Sequence, residues 1–144
     1  MPDSILKRIL EAGGWIAPPC SPEQAEHDWR IVRSYAEAHG VDPDELEFAL
    51  LNYTHLVDDG DPDAIYDEQR EVFEGFYGDE SPRHTFELAR ERCLVGTVEE
   101  VLERIEAFEA VGVDHLIAGA ITHRPDALER QAAVFEDRLI PEVH

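Results

Sequence analysis

Asp114 and His115 stand side by side in "VDHLIAGA", and a carboxylate beside an imidazole is a pairing that general acid–base chemistry uses. A second polar group, Asn52, Thr54 and His55, closes the apolar stretch "LEFALLNYTHLV" from Leu46 to Val57. Alternation along a strand puts Asn52 and Thr54 on one side and Tyr53 and His55 on the other, so only one pair can face a ligand. A lone histidine such as His55 is more often packed or solvent-facing than catalytic. Trp15 offers a ring that could flank a bound molecule or, like most large aromatics, lie in the core. Ala118, Gly119 and Ala120 are small enough to admit a flat ring, or simply to pack closely. His123 and Arg124 follow them and could meet an anionic group, although a surface loop before a helix-starting Pro125 explains them equally well.

No recognised catalytic signature accompanies these residues. The chain has no G-x-S-x-G, H-E-x-x-H, Walker loop or G-x-G-x-x-G. His27, His39, His84 and His144 lack metal-ligand spacing with one another. Cys20 and Cys93 stand far apart without a CxxC pattern, which argues against zinc and against a disulfide scaffold.

Charge narrows the partners. Asp and Glu number 33 against 12 Lys and Arg, a formal net charge of −21, and Lys7 is the only lysine. Nucleic acid and anionic membranes are therefore poor partners. The acids are spread between apolar positions, as in "TVEEVLERIEAFEA", rather than gathered into a tail, so they form solvated helix faces. Such a surface fits a high-salt (halophilic) cytoplasm where salt screens self-repulsion, or an ordinary acidic protein; the near absence of lysine, with arginine kept, favours the first. The start "MPDSILKRILEAGG" has no apolar core of signal-peptide length, and no run approaches the roughly 18 residues of a membrane span. A cytoplasmic protein is expected.

The elements that must position the polar residues follow from local signals. Ser4 is expected to cap a helix with an apolar stripe of Ile5, Ile9 and Leu10, stopped at Gly13-Gly14. "WIAPP" reads as a short strand. Ser21-Pro22-Glu23 opens a helix to about His39 that buries Trp29, Val32 and Tyr35, and Gly40 ends it. Leu46 to Val57 reads as a strand. Helices are expected from about Pro62 to Tyr77 and from about Ser81 to Arg92. Thr97 and Glu100 form a capping box for a helix ending near Gly112. "VDHLIAGA" is a last strand, and Asp126 to Leu139 a final helix before Pro141. This alternation predicts an α/β fold of three parallel strands with right-handed crossovers, residues 1–144 forming a single domain. Parallel sheets need both faces covered, so three strands alone leave an incomplete architecture.

Three segments resemble the luciferase-like monooxygenases, the flavin- or deazaflavin-dependent oxidoreductases related to bacterial luciferase. "CLVGTVEEVLERIEAFEAVGVDHLIAG" resembles that family's V-G-T-P-E-E-V-x-x-R-I followed by A-G-V-D-H, with Val98 at the usual proline. "EAGGWIAPPCSPEQ" resembles its A-D-G-W-hydrophobic-P and S-P-E-E run, with Gly13 where aspartate is common. "GVDPDELEFALLNYTHLVDD" resembles the unit that follows. The resemblance spans almost the entire chain and implies a partial (β/α)8 TIM barrel of about the last three βα units. A complete barrel takes about 250 residues.

The resemblance implies an oxidoreductase or monooxygenase using FMN or 8-hydroxy-5-deazaflavin (coenzyme F420) on a small-molecule substrate. The cofactor is expected to bind only together with an N-terminal half, which could be separately encoded, in a homo- or hetero-oligomer. Sites in such barrels lie at the carboxyl ends of the strands. That rule makes Trp15, Asn52, Thr54, His55 and Gly119 the expected cofactor-binding residues, and Asp114 with His115, at a strand entrance, structural. The catalytic residues are not specified. The alternative is a non-catalytic half-barrel that associates with itself or a partner; an acidic decoy for nucleic-acid-binding proteins is weaker, because the acids track helix surfaces.

Overall fold

The computed structural model describes residues 1–58, 60–77, 85–122 and 124–143. In chain order the elements are α1 (Asp3–Ala12), β1 (Gly14–Ala17), α2 (Pro22–Ala38), β2 (Glu47–Leu56), α3 (Pro62–Tyr77), α4 (Phe86–Arg92), β3 (Leu94–Gly96), α5 (Val98–Ala110), β4 (His115–Ala120) and α6 (Pro125–Val134). It is a mixed α/β fold, and every strand pairing in its sheet is parallel.

Several boundaries follow the local signals. Gly13 ends α1 with φ 76°, a left-handed conformation that glycine adopts without steric cost. The Ser21 hydroxyl accepts from Gln24 N–H, with Pro22 at the first helical position of α2. Thr97 and Glu100 satisfy one another's backbone N–H groups at the start of α5.

Other boundaries differ from the sequence reading. Helix α1 begins at Asp3 with Pro2 before it, so Ser4 lies inside the first turn and is not the cap. Helix α4 begins at Phe86, capped by Thr85, which accepts from Leu88 N–H; the expected start near Ser81 lies in residues 78–84, outside those described. Helix α6 starts at Pro125 and passes into a wider π turn over Phe135–Leu139. The largest correction is β3, a fourth strand where three were expected.

Strand β2 is the hub. Ala49 and Leu50 pair with both β1 and β4, so those strands flank β2 on opposite sides. Thr54 pairs with both Leu94 and Ala120, which puts β3 on the β1 side, beyond the end of β1. Register partners in a parallel pair point the same way. Trp15, Ala17, Phe48, Leu50, Asn52, Thr54, Leu94 and Leu116 therefore share one face. Against that face pack Trp29 and Val32 of α2 and Val101, Ile105 and Phe108 of α5, making the main core. Phe48 is stacked against Trp29 at 4.5 Å and Trp15 at 5.4 Å between ring centroids. Each such buried side chain contributes about 1.5–3 kcal/mol.

Among the described residues, the other face is covered only at the carboxyl end. There Phe73 of α3 and Phe86 and Ala89 of α4 close over Val95, Tyr53 and Ile121. Nearer the amino ends, Ala49 and Leu51 are half-buried, and Ile16 and Ile117 are 60% and 43% exposed.

Candidate functional site

The carboxyl end of β2 is fixed by side-chain amides. Gln69 of α3 donates from Nε2 to the carbonyls of His55, 2.9 Å, and Gly96, 2.7 Å. Gln131 of α6 accepts from Leu56 N–H and donates to Leu56 C=O, both at 2.6 Å. Ile121 N–H extends the β4 ladder by donating to Thr54 C=O at 2.8 Å. Buried backbone groups at a strand end otherwise lack partners, so these amides replace the missing ladder.

A cleft of about 540 Å³ opens between these strand ends. One wall is α3, through Glu68, Glu71, Val72 and Phe76; the other is Ile121, Thr122, Arg124, Ala127 and Arg130, from the end of β4 into α6. His55 lies between them, 2% exposed, with Nε2 3.4 Å from Glu68 Oε1 and, among the described residues, no hydrogen-bond partner for Nδ1. Burial lowers the His55 pKa below 6.5; Glu68 opposes that shift and the Arg130 charge adds to it. Arg124 forms a fork on Asp126, with contacts of 3.3 and 2.8 Å, and Arg130 reaches the same carboxylate at 3.5 Å. Those arginines hold the Asp126 carboxyl below its ordinary pKa.

On the β1 side of the same strand ends lies a smaller aromatic cleft of about 260 Å³, lined by Tyr53, Phe73, Tyr77, Leu88 and Arg92. Tyr53 packs near Phe76, which lines the larger cleft, and Tyr77, which lines the smaller one, at 6.4 and 6.1 Å between centroids. Cys93 lines this cleft as a free, buried cysteine, and burial raises its thiol pKa to about 11, where it is a poor nucleophile at neutral pH.

The five expected cofactor-binding residues do not converge. Trp15, Asn52 and Thr54 lie on the helix-covered face: Trp15 against Phe48, Asn52 Nδ2 donating to Arg92 C=O at 3.0 Å, and Thr54 fully buried. His55 and Gly119 lie on the opposite face. A methyl group added at Gly119 would meet Asn52 O and Tyr53 Cδ1 at 3.6 Å, ordinary contact, so neither packing nor a positive φ requires glycine there. The uncovered face around it is apolar enough to meet one side of a flat ring. Its polar members are Glu47 and His115 at the amino ends and Tyr53 and His55 at the carboxyl ends.

Asp114 has the structural role expected of it. Its Oδ2 accepts from Phe48 N–H while its own N–H donates to Phe48 C=O, each at 2.8 Å, tying the entrance of β4 to β2. His115 is exposed on the open face, and His123 lies outside the described residues. The acidic wall of Glu68 and Glu71 and the second arginine, Arg130, were not anticipated. Their only sequence signal was position within a helix, which acquires meaning once α3 and α6 are seen to flank His55. Among the described residues no group of three or more His, Cys, Asp or Glu could hold a metal ion, and no helix is long and apolar enough to cross a membrane.

No family model matches the chain, and no curated protein matches it in sequence. Solved structures do match it in fold. An F420-dependent secondary alcohol dehydrogenase, in complex with an F420–acetone adduct, superposes with a TM-score of 0.71 at 20% identity, over 92% of this chain and 43% of its own. A monooxygenase from Streptomyces bottropensis gives 0.68 at 19% identity, over 96% of this chain and 44% of its own. A riboflavin lyase with modified FMN and riboflavin gives 0.57 at 15% identity, over 90% and 38%. The chain thus spans less than half the length of the solved structures it matches. At the level of fold these likenesses bear out the resemblance read from the residues: the chain is similar to one stretch of flavin- and deazaflavin-type oxidoreductases and monooxygenases.

Proposed function

We propose that this chain is the C-terminal part of a luciferase-like (β/α)8 oxidoreductase, contributing about the last three βα units. The observation that carries this reading is the two-sidedness of β1, β2 and β4. They lie parallel, with α2 and α5 packed on one face against Trp15, Phe48, Leu50 and Leu116, while Ile16 and Ile117 on the other face are exposed among the described residues. An arc of barrel wall has this form, with the exposed face toward the lumen. The substrate is a small organic molecule, and the partner is an N-terminal half that completes the wall.

The cofactor is FMN or coenzyme F420, which supplies the hydride or oxygen chemistry when bound. Gly119 and the adjoining apolar residues of the open face cover one side of its ring and exclude water, while His55 and its cleft stand at the substrate end. The fold similarity to an F420-dependent dehydrogenase and to a lyase with modified FMN supports this class of cofactor.

A single wall leaves a ring largely in water, so the isolated chain binds weakly. Titrating FMN or F420 by fluorescence in molar KCl, with and without an N-terminal half, tests the reading. Weak binding alone and clear binding with the half are expected. Tight, stoichiometric binding by the isolated chain would contradict the partial-barrel reading.

A second reading, a non-catalytic half-barrel that binds a partner, is favoured by one observation. Tyr53, Phe73, Phe76 and Tyr77 form a continuous aromatic cluster over the carboxyl ends, where a ring would otherwise enter. Failure to bind any cofactor with the half present would select it.

A further inference from the structure

The cleft around His55 is segregated by charge. Glu68 and Glu71 stand on the α3 wall, Arg124 and Arg130 on the β4–α6 wall, and His55 is the buried group between them. Only 12 of the 144 residues are Lys or Arg, against 33 acids, so two arginines on one cleft wall are a local concentration of scarce charge. Asp126 engages both guanidiniums from outside the lining, which orients them and leaves the trio one positive charge.

A simple anion fits poorly, because the opposing carboxylates repel it; a simple cation meets the arginines. A ligand with an anionic end and a hydrogen-bond donor at the other end satisfies both walls, with Val72, Phe76, Ile121 and Ala127 for an apolar spacer. We propose that this cleft binds a small carboxylate bearing a remote hydroxyl or ammonium group, its carboxylate on Arg124 and Arg130 and its donor on Glu71 and Glu68. As a substrate class this rests on the oxidoreductase reading above, whereas binding itself needs neither cofactor nor partner. Specificity comes from the donor: a ligand lacking it leaves the acidic wall facing an apolar group or a second negative charge.

The test is an NMR titration of the full chain, following the His55 ring, with 4-hydroxybutyrate, 4-aminobutyrate, butyrate and inorganic phosphate as probes. At least one of the first two is expected to bind tenfold or more tighter than butyrate and phosphate. The hydroxyl and ammonium arms decide which donor the site prefers. Arg130→Gln and Glu71→Gln, both at exposed helix positions, are each expected to weaken that binding at least fivefold without changing the fold. Equal binding of all four probes, preference for phosphate or butyrate, no binding, or indifference to both substitutions would overturn the proposal. Those outcomes leave the cofactor titration untouched, so the two readings fail separately.

Discussion

The Gln131 side chain reproduces a missing strand for one residue: its amide accepts from Leu56 N–H and donates to Leu56 C=O, both at 2.6 Å, with Gln131 3% exposed. This joins α6 to the carboxyl end of β2 across 75 residues of sequence. Gln131→Leu keeps the bulk and strands both backbone groups, so a loss of about 3 kcal/mol is expected. Urea denaturation measures it; an unchanged midpoint would show that the clamp contributes nothing.

His55 couples stability to pH. Burial lowers its pKa in the folded chain from an ordinary 6.5, with Glu68 opposing and Arg130 reinforcing the shift. As pH falls below 6.5 the unfolded chain takes up the proton first, so this contribution is full above 6.5 and is lost as pH drops through the folded-state pKa. His55→Gln is expected to flatten the acid limb of stability against pH. Parallel curves for the two proteins would remove the coupling.

The charge of −21 makes folding salt-dependent. Repulsion among surface carboxylates reaches roughly 10 Å at 0.1 M salt and only about 3 Å at 1 M. The thermal midpoint is expected to climb strongly from dilute buffer to molar KCl. A level response in a calorimetric series would end the argument for a halophilic surface.

Ile16 and Ile117 expose apolar area on a sheet face whose edge strands, β1 and β4, have no outer strand partner among the described residues. Exposed apolar surface with free strand edges drives association. Light scattering in high salt should find more than the monomer mass, and Ile117→Glu should shift the chain toward monomer. A clean monomer in the parent chain would count against an unfinished wall.

Much of the frame was legible because its causes are local. A hydroxyl before Pro22, a threonine three residues before Glu100 and a glycine after Ala12 each act within one helical turn, so Ser21, Thr97 and Gly13 could be read as boundaries from the chain alone. Strand β3 was not legible: three residues are too few for a periodicity, and Leu94–Gly96 is a strand only because Thr54–Leu56 pairs with it. Alternation separated Asn52 and Thr54 from Tyr53 and His55, but which pair lay beneath helices depended on where α2, α5 and α3 packed. Tertiary structure decided that, because a strand offers two equivalent faces until apolar helices bury one of them. Packing also brought Glu68, Glu71, Arg124 and Arg130 around His55, from segments that alone read as solvated helix faces and a loop.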